Sequence, residues 1–287
     1  MTAWQVFLKA QGIIWQRRGV VGFLYIFNVL MALLLTIPVS GRLDVLARSE
    51  LSDHLLESLS LDYLLDFWLE YRDSFHTLWI TALAMGVFYL LMNLFFAGGI
   101  LATLEKENRF ILQNFALACG RYAGRFFRLF LLSLIVLAAL FLAYQWFVAG
   151  ALGSLIQDLQ PGYRAQIRMA AWLFFIPLLG VWNMIFDYAK IVIQVQEMKS
   201  SFKAFLSSLG FIGRYPLQTL GLYFLNYMIL LLLFLIYSAV SNVTSVTTLA
   251  AVYGMLGMQQ LFILLRMWIR VSFFASQQHF YLNRKAW

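Results

Sequence analysis

The sequence predicts an all-α, polytopic membrane protein with six transmembrane helices, and three observations carry that prediction. Of 287 residues, 62% are apolar and only 12% charged. Soluble proteins carry about 25% charged residues, so this chain has half the charge needed to cover a water-facing surface. The apolar residues fall in six runs, each long enough for a hydrocarbon core that takes about 20 residues per helix. The runs are continuous, whereas the strand of a membrane barrel alternates over about ten residues. Lys and Arg, finally, are segregated between the intervening loops.

The six predicted spans cover residues 19–38, 76–103, 129–148, 169–194, 217–240 and 248–274. The first follows Arg17 and Arg18 in the manner of a signal peptide, but it is too long and no A-x-A pattern follows it. Sixteen of the 21 Lys and Arg lie in the N-terminal stretch, the second and fourth loops and the C-terminal end, while Arg42, Arg48, Arg72, Arg164 and Arg168 lie on the other side. Basic loops stay in the cytoplasm, which puts both termini there and points to a bacterial inner membrane. Nine of the 13 acidic residues lie on the outer side. The formal charge of +8 is therefore a topology signal, and no base-reading motif accompanies it; nucleic acid is not an expected partner. One cysteine, Cys119, excludes an intramolecular disulfide.

A short amphipathic stretch precedes each outward span and suits a helix lying among lipid headgroups. The first carries Trp4, Phe7, Leu8, Ile14 and Trp15, the second Phe110, Ile111, Phe115 and Ala118, the third Phe202, Phe205, Leu206 and Leu209. Each ends at a glycine: Gly12, Gly120, Gly210. Offset by 198 positions, Phe7, Leu8, Gly12, Ile14, Leu24, Tyr25 and Asn28 meet Phe205, Leu206, Gly210, Ile212, Leu222, Tyr223 and Asn226. Offset by 90, Asn93, Phe96, Glu107, Phe115 and Gly120 meet Asn183, Phe186, Glu197, Phe205 and Gly210. The expected organisation is one membrane domain over 1–287 made of three parallel two-helix repeats at about 1–106, 107–196 and 197–287. The outer connections differ. Residues 40–75 form an acidic hairpin with leucines at helical spacing, Pro161-Gly162 marks a turn in the second, and residues 241–247 make a short polar turn.

Polar residues inside spans are the candidate site, because the bilayer excludes them unless they face protein or water. Asn183, Asp187, Lys190 and Gln194 share one face of the fourth span, and Gln259, Arg266 and Arg270 share one face of the sixth. Asp187 and Arg266 lie at equal depth, about 27 Å from the start of their spans at 1.5 Å per residue. The expected pairing joins Asp187 to Arg266 or Arg270, either as a structural clamp or as part of a substrate or proton path. Asn28, Asn93, Asn183 and Asn226 sit near mid-span on four helices; they form either interhelical hydrogen bonds, each worth about 0.6 kcal/mol, or a polar cavity lining. Gly98-Gly99, Gly120 with Gly124, and Gly254 with Gly257 are expected close-packing sites. His54, His76 and His279 have no zinc-site spacing, and neither a nucleophile elbow nor a phosphate-binding glycine loop is present. No catalytic residue, metal or cofactor is expected.

The layout of amphipathic stretch, glycine, span and hairpin, with Phe186-Asp187-Tyr188-Ala189-Lys190 closing the fourth span before Gln196-Glu197, resembles that of a group of six-helix bacterial inner-membrane proteins. These look like the membrane domain found beside some glycerophosphodiester phosphodiesterases. The resemblance implies the fold and the location but no activity. The function expected is transport, or the handling of lipid or another amphiphile, through a polar cavity between helices. The alternative is a scaffold or assembly partner for an envelope complex, docking a protein through the acidic hairpin.

Overall fold

A computed structural model of the chain describes residues 2–47, 72–105, 110–157, 159–243 and 248–285. The fold is all-α: α1 (Ala3–Gln16), α2 (Arg18–Ala47), α3 (Arg72–Glu105), α4 (Leu112–Trp146), α5 (Pro161–Val195), α6 (Ser201–Arg214), α7 (Pro216–Val243) and α8 (Leu249–Lys285). Among the described residues, six helices are long and apolar enough to cross a membrane: α2, α3, α4, α5, α7 and α8. The acidic hairpin expected at 40–75 falls largely outside the described residues, with α2 ending at Ala47 and α3 beginning at Arg72.

Local chemistry explains the breaks. Thr2 caps α1 reciprocally: its hydroxyl accepts from the Gln5 amide at 3.4 Å and its own amide donates to the Gln5 side chain at 3.1 Å. The chain leaves α1 at Arg17, with φ −115° and ψ 28°, and enters α2 at once. Ser200 caps α6 by accepting from the Lys203 amide at 3.4 Å. At the other end Tyr215 takes φ −131° and ψ 52°, because Pro216 excludes the helical conformation from the residue before it.

Several boundaries differ from the sequence reading. The second amphipathic stretch is no separate helix, since α4 runs unbroken for 35 residues with neither proline nor cap to interrupt it. It passes into a π-helical segment, Phe147–Leu152. Gly12 and Gly210 lie inside α1 and α6 rather than at their ends, as a helical glycine costs only about 1 kcal/mol. Pro161 does not mark a turn but occupies the first position of α5, where its missing N–H would have had no partner anyway. The sixth helix does not stop near 274 but continues to Lys285, carrying His279 within it.

The described chain divides into two compact units, one formed by 1–21 with 95–287 and the other by 22–94. In the larger unit α8 packs on α1, α7 and α5, and α6 packs on α5 and α4. Val6, Phe7, Ala10 and Ile14 bury one side of α1 while Trp4, Leu8 and Trp15 stay exposed. The α3 end meets α4 through Gly98 and Gly99: a Cβ on Gly99 would lie 2.5 Å from the Cys119 sulfur and 2.7 Å from the Phe115 ring. Gly120, Gly124, Gly254 and Gly257 have nothing within 4 Å of such a Cβ, so of the expected close-packing glycines only the first pair serves that role. In the smaller unit Phe27 stacks on Tyr89 with ring centroids 6.3 Å apart, and the Tyr89 hydroxyl donates to Asn28 Oδ1 at 2.7 Å.

Candidate functional site

The polar residues inside the helices resolve into separate clusters. On α5, Lys190 Nζ donates to Asp187 Oδ1 at 2.8 Å, a pair three residues apart on one helix. The ammonium also lies 5.8 Å from the Phe274 ring centroid of α8. One turn earlier Asn183 Nδ2 donates to the Tyr223 hydroxyl of α7 at 2.5 Å, and Tyr223 and Tyr227 share a hydroxyl contact of 3.3 Å. Asn183, Asp187 and Lys190 thus stay together.

The expected interhelical pairing is not made: Asp187 takes its cation from its own helix. Gln259 and Arg266 are exposed and Arg270 is half-buried. The stripe of α8 that turns inward is the neighbouring one, Met267, Val271, Phe274 and Gln278, all buried. It has the same helical spacing as the arginine stripe, displaced by one residue and so by about 100° around the helix.

Gln194, at the end of the α5 stripe, belongs to a second cluster joining three helices. Its amide donates to Glu105 of α3, and its Oε1 accepts from Gln278 Nε2 of α8 at 2.8 Å. Gln278 Nε2 also reaches the Leu101 carbonyl at 3.1 Å. A third cluster centres on Asn226, which is fully buried. Trp268 Nε1 donates to Gln11 Oε1 at 2.7 Å, Gln11 Nε2 to Ser272 Oγ at 2.6 Å, and Ser272 Oγ to Asn226 Oδ1 at 3.1 Å. Asn226 Nδ2 in turn reaches Ser276 Oγ at 3.3 Å and the Leu222 carbonyl one turn back at 2.9 Å. The chain of bonds ties α1, α7 and α8.

The four mid-span asparagines divide between the two units. Asn28 and Asn93 sit in the smaller unit, where Asn28 Nδ2 donates to the Leu24 carbonyl at 2.7 Å and Asn93 Nδ2 to the Tyr89 carbonyl at 2.6 Å. Asn183 and Asn226 serve different clusters.

Sequence reasoning did not place Gln11, Glu105, Tyr223, Ser272, Ser276, Gln277 and Gln278 in the site, although Tyr223 stood out as the match to Tyr25 in the offset of 198. The signal for four of them was available: Ser272 and Ser276 are one turn apart, and Gln277-Gln278 follows without a break. Gln277 is the most unusual of the set. It is 1% exposed, and neither its Nε2 nor its Oε1 has a hydrogen-bond partner. Gln278 Oε1 and the Tyr188 hydroxyl are also buried without one.

No protein family, curated protein or solved structure matches the chain. Composition, six apolar helices and buried polar clusters between them define the class: a helical, multi-pass integral membrane protein.

Proposed function

We propose that the protein handles an amphiphile, such as a lipid or another molecule with a polar head, in transport or transfer across or along a bacterial inner membrane, with both chain ends in the cytoplasm. The observation that supports this reading is the Gln277 carboxamide. A buried amide without a hydrogen bond costs roughly 1–3 kcal/mol, and leucine at that position would avoid the cost. Such groups persist where they engage something besides the protein, a ligand or ordered water. Gln277 lies between Ser276 and Gln278, one in each of the two networks that close the α8 interface, and its carboxamide with the unpartnered Gln278 Oε1 offers a polar head one donor group and two acceptors.

The test is Gln277→Leu, followed by native mass spectrometry of protein extracted from bacterial membranes and by thermal unfolding after lipid removal. Replacing an unpartnered amide by an apolar side chain of similar size stabilises the delipidated protein by about 1 kcal/mol. If the carboxamide engages cargo, the variant also loses the amphiphile that co-purifies with the wild type. A variant that gains stability and retains the same amphiphile would leave a packed polar layer without cargo, and the scaffold role would replace this reading.

A further inference from the structure

Helix α6 carries two stripes side by side. Phe202, Leu206 and Leu209, spaced i, i+4 and i+7, are 57%, 50% and 38% exposed. Beside them run Lys203, Ser207, Gly210 and Arg214, spaced i, i+4, i+7 and i+11. The opposite side, with Ala204 and Ser208, is buried against α5 and α4. The polar stripe opens into a cavity of about 480 Å³, lined from α6 by Ser207, Gly210 and Arg214 and from the end of α8 by Tyr281 and Arg284.

The charge of this cavity is one-sided. Among the described residues its two charged lining residues are arginines, no carboxylate lines it, and neither arginine joins an ion pair. The Arg284 guanidinium carbon lies 5.1 Å from the Tyr215 ring centroid and 5.9 Å from that of Phe280. Aromatic faces hold a guanidinium in place without neutralising it, which leaves its N–H groups available. Two guanidinium groups and a serine hydroxyl around one space match the planar, multidentate recognition of phosphate oxygens. The exposed apolar stripe next to the cavity selects the source, since cationic residues bordering an apolar helix face are how interfacial helices hold anionic lipid.

We propose that the α6–α8 cavity is an anionic-phospholipid site, in which Arg214 and Arg284 take the headgroup phosphate and the Phe202, Leu206 and Leu209 stripe lies along the acyl chains. The site is separate from the Gln277 layer and stands or falls independently of it.

The test uses the full chain in phosphatidylcholine nanodiscs doped with phosphatidylglycerol, with retained phosphatidylglycerol read by native mass spectrometry after release into detergent. A parallel arm titrates inorganic phosphate into phosphatidylcholine-only nanodiscs and reads thermal stability. The Arg214→Gln/Arg284→Gln variant is expected to lower phosphatidylglycerol retention by about tenfold or more, each guanidinium contributing charge-assisted hydrogen bonds. Gly210→Glu is expected to lower it as well, because a side chain there meets nothing within 4 Å and places a carboxylate beside the arginines. Helix propensity favours Glu over Gly, so this variant keeps the fold even where the double arginine variant does not. Inorganic phosphate alone should leave stability unchanged. A phosphate-dependent stabilisation of the wild type that the arginine variant lacks would overturn the lipid source and assign the cavity to free phosphate. Equal phosphatidylglycerol retention in wild type and Gly210→Glu would overturn the site.

Discussion

Asp187 and Lys190 close on each other at 2.8 Å, one turn apart on α5, so the buried carboxylate takes its cation from its own helix. Both side chains are largely buried, at 11% and 20% exposure, so the pair is coupled through a medium less screening than water. Lys190→Met leaves a carboxylate buried without its cation and is expected to cost about 3 kcal/mol. Asp187→Asn combined with Lys190→Met should recover most of that loss, because a buried pair adds little net stability beyond its neutral replacement. A double-mutant cycle in nanodiscs measures the coupling. A double variant whose loss equals the sum of the two single losses would show that the two side chains act independently.

Gly99 offers a second test, on packing alone. A methyl group there would meet the Cys119 sulfur at 2.5 Å and the Phe115 ring at 2.7 Å, closer than packed atoms come. Gly99→Ala is expected to destabilise by about 1–3 kcal/mol through overpacking. Gly124→Ala, where the new atom meets nothing within 4 Å, is expected to be neutral or to stabilise by up to about 1 kcal/mol through helix propensity. Thermal unfolding of the two variants side by side should separate them. Equal midpoints would mean that α3 and α4 do not approach closely at Gly99.

What the sequence disclosed and what it withheld follow from the range of each interaction. The spans were legible because the bilayer acts on every residue of a run at once, and hydropathy sums over the run. The stripes on α5 and α8 were legible too, since spacing says which residues share a helix face. Spacing does not say which face a neighbour covers, and that is why it sets Arg266 or Arg270 against Asp187 when Met267 and Val271 hold the inward position. The end of α8 was withheld for a related reason. Ser272 falls at the end of the predicted span 248–274 and Ser276, Gln277 and Gln278 beyond it, and they are buried where Gln11, Gln194 and Asn226, far away in the chain, supply partners for three of the four. The cavity beside α6 was half legible: its apolar stripe stood out, while Arg284, 70 residues further along, comes to it through the unexpected length of α8.

Asn226 and Asn28 occupy matching positions in the offset of 198, and both donate to the carbonyl four residues back. Their surroundings differ, and so should the cost of losing them. Asn226 is fully buried and takes a hydrogen bond from Ser272 while giving one to Ser276. Asn226→Leu takes the acceptor from the Ser272 hydroxyl and the donor from Ser276, whose hydroxyl still donates to the Phe273 carbonyl, and through Ser272 it loosens the chain running to Gln11 and Trp268; it is expected to cost about 1–3 kcal/mol, the range for a buried group that loses its partner. Asn28 is half-buried, and its side-chain oxygen accepts from the Tyr89 hydroxyl. Asn28→Leu is expected to cost about 1 kcal/mol or less, near the average for a polar contact between membrane helices. The measurement is denaturant or thermal unfolding of each variant in the same lipid, with the Trp268 emission, taken as the difference from a matching Trp268→Phe protein because the chain has nine tryptophans, as a local probe: Asn226→Leu should shift it and Asn28→Leu should not. Equal losses, or an unchanged Trp268 spectrum in Asn226→Leu, would show that the bonds from Trp268 through Gln11 and Ser272 to Asn226 do not act as one network.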